Sequence, residues 1–121
     1  MLRFLRKNAL IIYPFLLIGS FYSTWFAARY HLGHYPIASV DDPKSINGFW
    51  MWTYEFTYLL TFIGLPAAIL MTTCEAITKP PTGSKQRNVF LLKLALGASL
   101  LTISYWIMGN EPYDIMGWLL D

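Results

Sequence analysis

Residues 50–73 read WMWTYEFTYLLTFIGLPAAILMTT, and the fold turns on how this stretch is understood. It carries a single charged residue, Glu55, just inside an aromatic edge of Trp50, Trp52, Tyr54 and Tyr58. An apolar run of about 20 residues, rising about 1.5 Å per residue in a helix, matches a bilayer hydrocarbon core of about 30 Å. The run is too long for a buried strand or for the apolar region of a signal peptide, so it predicts a membrane-spanning helix. Pro66, shortly after Gly64, removes one backbone hydrogen bond and predicts a bend near the middle.

Composition points the same way. The chain has 121 residues, enough for one domain, and is 55% hydrophobic but only 13% charged, where soluble domains carry roughly 25% charged residues. A water-soluble fold of this size cannot hide that much apolar surface, so lipid is the expected solvent for part of it. A net charge of +2 is too small to indicate nucleic acid. The lone cysteine, Cys74, allows no intrachain disulfide and no Cys-x-x-Cys site; palmitoylation and redox activity are its functional readings, an inert interfacial thiol the default.

Two more spans flank the first. Arg3, Arg6 and Lys7 precede the apolar run 9–28, as at the start of a signal peptide. That run is longer than a typical signal core, and bulky Phe26 stands three residues before the candidate cut after Ala28, so an uncleaved helix is expected. Pro14, early in it, predicts a mild bend at most. The expected fold is an all-α integral membrane protein, one domain over 1–121. Its three transmembrane helices, about 8–30, 50–73 and 89–108, form a small bundle. The outer loop is 31–49, the cytoplasmic loop 74–88 and the outer tail 109–121, with the apolar patch 115–120 at the interface. In the outer loop, Asp42-Pro43 fits a helix cap followed by proline, so residues 42–46 predict one helical turn.

Orientation follows from the Lys/Arg bias. Arg3, Arg6, Lys7, Lys79, Lys85, Arg87 and Lys93 belong to the N-terminus and second loop. The opposite side has Arg29 and Lys44 against Asp41, Asp42, Glu111, Asp114 and Asp121. The N-terminus is therefore expected in the cytoplasm and the C-terminus outside. Small residues recur at helical spacing in each span: Ser20, Ser23, Thr24 and Ala27; Thr57, Thr61, Gly64, Ala68 and Thr72; Ala95, Ala98, Ser99 and Thr102. In lipid such stripes let backbones approach closely, which predicts one compact bundle.

Glu55 is the sharpest chemical signal. It shares a helical face with Tyr58, Leu59, Phe62 and Pro66, opposite Thr57 and Thr61. A carboxylate within the span is costly unless protonated, paired or wet. The structural reading is an ion pair with Arg29, at similar depth on the antiparallel first helix, with His31 as a substitute. The functional reading is a proton or cation site. His31 and His34 form an H-x-x-H pair near Asp41 and Asp42, a weak metal pattern that Gly33 interrupts. No metal or other cofactor is expected. Trp50, Trp52, Tyr30, Tyr35 and Trp106 read as an aromatic belt, the alternative being a quinone or pigment pocket. Lys93 sits a turn inside the third span and can snorkel to water.

The sequence contains no Ser/His/Asp set, glycine-rich phosphate loop, H-E-x-x-H or Cys-x-x-Cys-His motif. No enzymatic activity is expected. The run Leu32-Gly33-His34-Tyr35-Pro36, followed by Asp41-Asp42-Pro43-Lys44-Ser45-Ile46, resembles a loop in small bacterial inner-membrane proteins of no settled function. That resemblance implies a bacterial inner-membrane location and nothing chemical. The leading functional expectation is a non-catalytic accessory or structural subunit, or assembly factor, of a larger membrane complex. Its partners would be the bilayer and other membrane subunits, docking on the loop that carries His31, His34, Asp41, Asp42, Pro43 and Lys44. An oligomeric proton-coupled cation or drug transporter using Glu55 is the alternative. It is similar to small multidrug transporters in having one membrane glutamate among aromatics, but departs from them by lacking a fourth helix and placing that glutamate in the second. A subunit lining a quinone or haem site of a respiratory complex is the third option.

Overall fold

A computed structural model describes residues 1–45 and 49–120. The Ile46 end of the expected turn, the Trp50 side chain and Asp121 lie outside the described residues. The described chain is all-helical, with three helices long and apolar enough to cross a membrane. In order, α1 is Leu2–Leu32, a single 3₁₀ turn is Pro43–Ser45, and α2 is Phe49–Leu59. A π-helical turn, Leu60–Gly64, joins α2 directly to α3, Leu65–Thr78; α4 is Ser84–Asn110 and α5 is Ile115–Leu120. The long helices overrun the expected spans at both ends. Hydropathy marks only the hydrocarbon part, whereas the backbone gains by keeping its hydrogen bonds through the headgroup region. The expected loop 74–88 thus shrinks to residues 79–83, and Cys74 lies exposed on α3.

Local chemistry sets the breaks. Gly33 ends α1 in the left-handed region (φ 77°), its N–H donating to the Arg29 carbonyl at 3.0 Å. The disruption in α1 falls at Asn8 (φ −125°, ψ 17°), whose side-chain amide donates to the Phe4 carbonyl at 3.0 Å, rather than at the buried Pro14. Pro14 still has a consequence, because without its N–H the Leu10 carbonyl lacks its ordinary donor one turn on. Gly97 of α4 closes on that place: a Cβ there would lie 3.0 Å from the Leu10 oxygen.

Pro66 likewise does more than bend a helix. The π-helical turn immediately before it widens the backbone where the proline ring would meet the preceding turn. Tyr13 of α1 reads this turn: its hydroxyl donates to the Leu60 carbonyl at 2.8 Å, and its ring edge overlaps the place where a Gly64 Cβ would stand.

α1 is the hub. Of its apolar window 39% is buried, against 6% for the second long helix and 11% for α4, because both neighbours pack along α1 far more than on each other. The second-span stripe does face α1, with Thr57 and Ala68 buried; Thr24 pairs hydroxyl to hydroxyl with Thr57 at 2.8 Å and donates to the Thr53 carbonyl at 3.1 Å. The first-span stripe is split, Thr24 and Ala27 buried but Ser23 exposed. The third-span stripe is a correction: Ala95, Ala98, Ser99 and Thr102 are exposed, and α4 turns Gly97, Ser104 and Met108 inward instead.

The densest packing lies at the α5 end. Leu17, Phe21 and Trp25 of α1 meet Met108 of α4 and Ile115, Trp118 and Leu119 of α5, all nearly inaccessible. The tail patch is thus packed against the bundle. Two carboxylates start α5: Glu111 accepts from the Tyr113 N–H at 2.7 Å and from the Ile115 N–H, and Asp114 (φ 50°) accepts from the Gly117 N–H at 3.3 Å.

Candidate functional site

Glu55 sits six residues into the second long helix, about 9 Å along its axis at 1.5 Å per residue. With Thr57 turned toward α1, Glu55 falls on the opposite side and is exposed, together with Tyr58, Leu59, Phe62 and Pro66. Tyr58 bridges Tyr54 and Phe62, with ring centroids 6.3 and 4.7 Å away. An aromatic ladder thus runs from the buried Tyr54 to the exposed Tyr58 and Phe62.

The expected Arg29–Glu55 pair does not form. Arg29 lies over the Tyr35 ring, its guanidinium carbon 3.9 Å from the centroid, and Glu55 has no ion-pair partner among the described residues. Similar depth on two helices does not bring side chains together when they point around the bundle in different directions. The aromatic surroundings explain the preference of Arg29: Tyr35 stacks on Trp25 at 4.9 Å and on Tyr113 at 5.3 Å, giving the cation an electron-rich face. The ion pair of the apolar helices is elsewhere, at the opposite end, where Arg6 Nε donates to Glu75 at 2.7 Å.

The loop after α1 is built from the residues singled out as a docking surface. The Asp41 carboxylate accepts from the Ile37 N–H at 2.9 Å and lies 3.7 Å from His34 Nδ1. The Asp41 carbonyl accepts from the Trp118 indole N–H at 2.7 Å, tying loop to tail. Asp42 caps the 3₁₀ turn, its carboxylate accepting from the Lys44 N–H at 2.8 Å, and Pro43 is buried beneath. Asp41, Asp42 and Pro43 therefore shape the loop, while His34 and Lys44 are exposed on it and His31 is exposed on the last turn of α1. His34 Nδ1 lies 2.9 Å from the Tyr35 carbonyl, and the described residues gather no group of three or more potential metal ligands.

Between α1 and α2 lies a second feature that sequence reasoning assigned to packing inside the bundle. Gly19, Ser20 and Ser23 of α1, with Thr53 and Phe56 of α2, line an open groove of about 300 Å³. Its floor is small side chains, and Phe15, Leu16 and Phe56 stand at its sides, a shape into which another helix fits. Helical spacing gives such a stripe but does not say whether the chain itself fills it. Glu75, Asn8 and Tyr13 are further residues whose contacts sequence reading missed. The first signal available was that Glu75 is the one acidic residue amid the basic end.

The chain matches no protein-family model, and comparison with curated proteins and with solved structures finds no significant relative.

Proposed function

We propose that this chain is a non-catalytic accessory subunit, or assembly factor, of a larger membrane complex, and that it docks through the face carrying Glu55. The observation behind the reading is an outward-facing carboxylate, with no ion-pair partner among the described residues, within an apolar helix. An acidic group in lipid costs about 2.5–3.5 kcal/mol at a helix centre and less toward the end where Glu55 sits, but still enough to favour a partner. A partner helix that brings a cation or a hydrogen-bond donor removes that cost, and the groove between α1 and α2 along Gly19, Ser20 and Ser23 gives a further helix of the partner a close backbone seat. The exposed stripe of α4 offers a second seat of the same kind.

The basic end of the bundle faces the cytoplasm and the loop with α5 faces outward, in a bacterial inner membrane. The gathering of Arg6, Lys7, Lys79, Lys85 and Lys93 at one end supports that orientation. Cysteines placed at Ser39 and at Ser84 in a Cys74→Ser chain test it: an impermeant maleimide should label the first and not the second in intact cells.

Docking is tested by purification from native membranes in mild detergent with mass spectrometry of what accompanies the chain. Stoichiometric larger subunits are expected with the natural sequence and their loss with Glu55→Leu at unchanged chain level. A chain that purifies as a homo-oligomer would overturn the accessory reading. It would favour proton-coupled exchange through Glu55 residues held between copies.

A further inference from the structure

At the end opposite α5, three helices converge on a cleft of about 500 Å³. Arg6 and Lys7 come from α1, Glu75 from α3, Lys79 from its C-terminal cap, and Lys85 and Lys93 from α4. Five cations therefore face one carboxylate, and that carboxylate is already engaged by Arg6. Like charges brought into one concavity repel unless an anion sits among them.

Two details make this more than a basic surface. Lys93 is drawn a turn further into the bundle than the others, and its ammonium donates to Asn8 Oδ1 at 2.9 Å. Asn8 is the residue at which α1 leaves helical geometry, so the break in α1 places the acceptor that holds this lysine at the cleft. In addition, α4 begins beside the cleft without a side-chain cap, so its first N–H groups add partial positive charge there.

Between Lys85 and Lys93 the α4 wall is apolar, formed by Val89 and Phe90 one to two turns into the helix. A cationic pocket that opens onto apolar helix surface suits a ligand with both an anionic head and an alkyl chain. Its position, at the ends of three helices long enough to cross a bilayer, is headgroup depth.

We infer that this cleft binds a phosphate-ester anion, the headgroup of an anionic phospholipid, with Lys79, Lys85 and Lys93 as its ligands and Val89 and Phe90 against its acyl chain. The inference rests on insertion into a membrane but not on any partner subunit. A chain that fails to partition into detergent micelles fails the membrane reading before lipid is added.

The test uses the full chain in detergent, titrated with phosphatidylglycerol and read by native mass spectrometry and unfolding temperature. Phosphatidylglycerol should be retained and should raise the unfolding temperature, while phosphatidylcholine and inorganic phosphate at equal concentration should not. Lys79→Gln and Lys85→Gln, both at exposed positions, should each weaken retention about fivefold. Lys93→Gln should weaken it at least as much. Arg3→Gln and Arg87→Gln remove the same charge at the same end but outside the cleft, and should leave retention within twofold. Equal losses in all five variants, or equal retention of phosphatidylcholine, would overturn the site. Full stabilisation by inorganic phosphate alone would overturn the lipid and leave a soluble phosphate ester in its place.

Discussion

The Trp118 indole N–H donates to the Asp41 carbonyl at 2.7 Å, across 77 positions of sequence. Asp41 is itself held by the Ile37 N–H, so the tail helix closes on a loop that is already shaped. Trp118 is only 1% exposed, and it contributes both packing and a donor.

The two contributions separate by substitution. Trp118→Phe keeps most of the volume and loses the donor, and should cost about 1 kcal/mol of unfolding free energy in detergent. Trp118→Ala should cost about 3–5 kcal/mol. Amide exchange over residues 115–120 should quicken in both, and equal losses in the two variants would show that the hydrogen bond carries the whole effect.

Glycine positions give a comparison with internal controls. A Cβ at Gly97 meets the Leu10 side chain and carbonyl at 3.0 Å, whereas one at Gly19 or Gly109 meets nothing within 4 Å. Gly97→Ala should therefore destabilise by about 1–3 kcal/mol through overpacking. Gly109→Ala, in the same helix, should be neutral or stabilise by up to about 1 kcal/mol through backbone entropy. Thermal unfolding of the two variants side by side checks this.

At the π-helical turn the pair to vary is Tyr13 and Gly64. Gly64→Ala drives a methyl group into the Tyr13 ring and should cost about 1–3 kcal/mol. In a Tyr13→Ala chain the same change should cost almost nothing, a coupling that a double-mutant cycle measures directly. Tyr13→Phe, which removes the bond to the Leu60 carbonyl and keeps the ring, should cost about 1 kcal/mol and leave the Gly64→Ala penalty in place.

Arg6 and Glu75 form a pair of unequal exposure, side chains 38% and 15% accessible. Removing Arg6 strands the more enclosed carboxylate, so Arg6→Gln should cost more than Glu75→Gln, with the larger loss about 1 kcal/mol. The double variant should recover part of it. Equal, additive losses would show that the two groups act independently.

The apolar run at 50–73 was enough to establish a helix of membrane-crossing length, and the Thr57–Thr72 stripe was enough to find the face that meets α1. Azimuth was not legible where a helix offers two plausible faces. In α4, Gly97 and Ser104 face inward while an equally good stripe, Ala95 to Thr102, faces out. Arg29 and Glu55 agreed in depth, but nothing in the sequence gave the direction of Arg29 toward the Tyr35 ring. Glu75 escaped notice because a hydropathy boundary drawn at Cys74 put it in a loop, whereas α3 runs on to Thr78 and carries it to Arg6.

The central place of α1 has a consequence for assembly. The helix that holds both interfaces is the first of the three to be synthesised, so it is available as a template before either neighbour arrives. The second helix docks on one side and α4 later on another, and neither has to displace the other. Chain order thus allows each contact with α1 to form as its helix emerges, without breaking one already made.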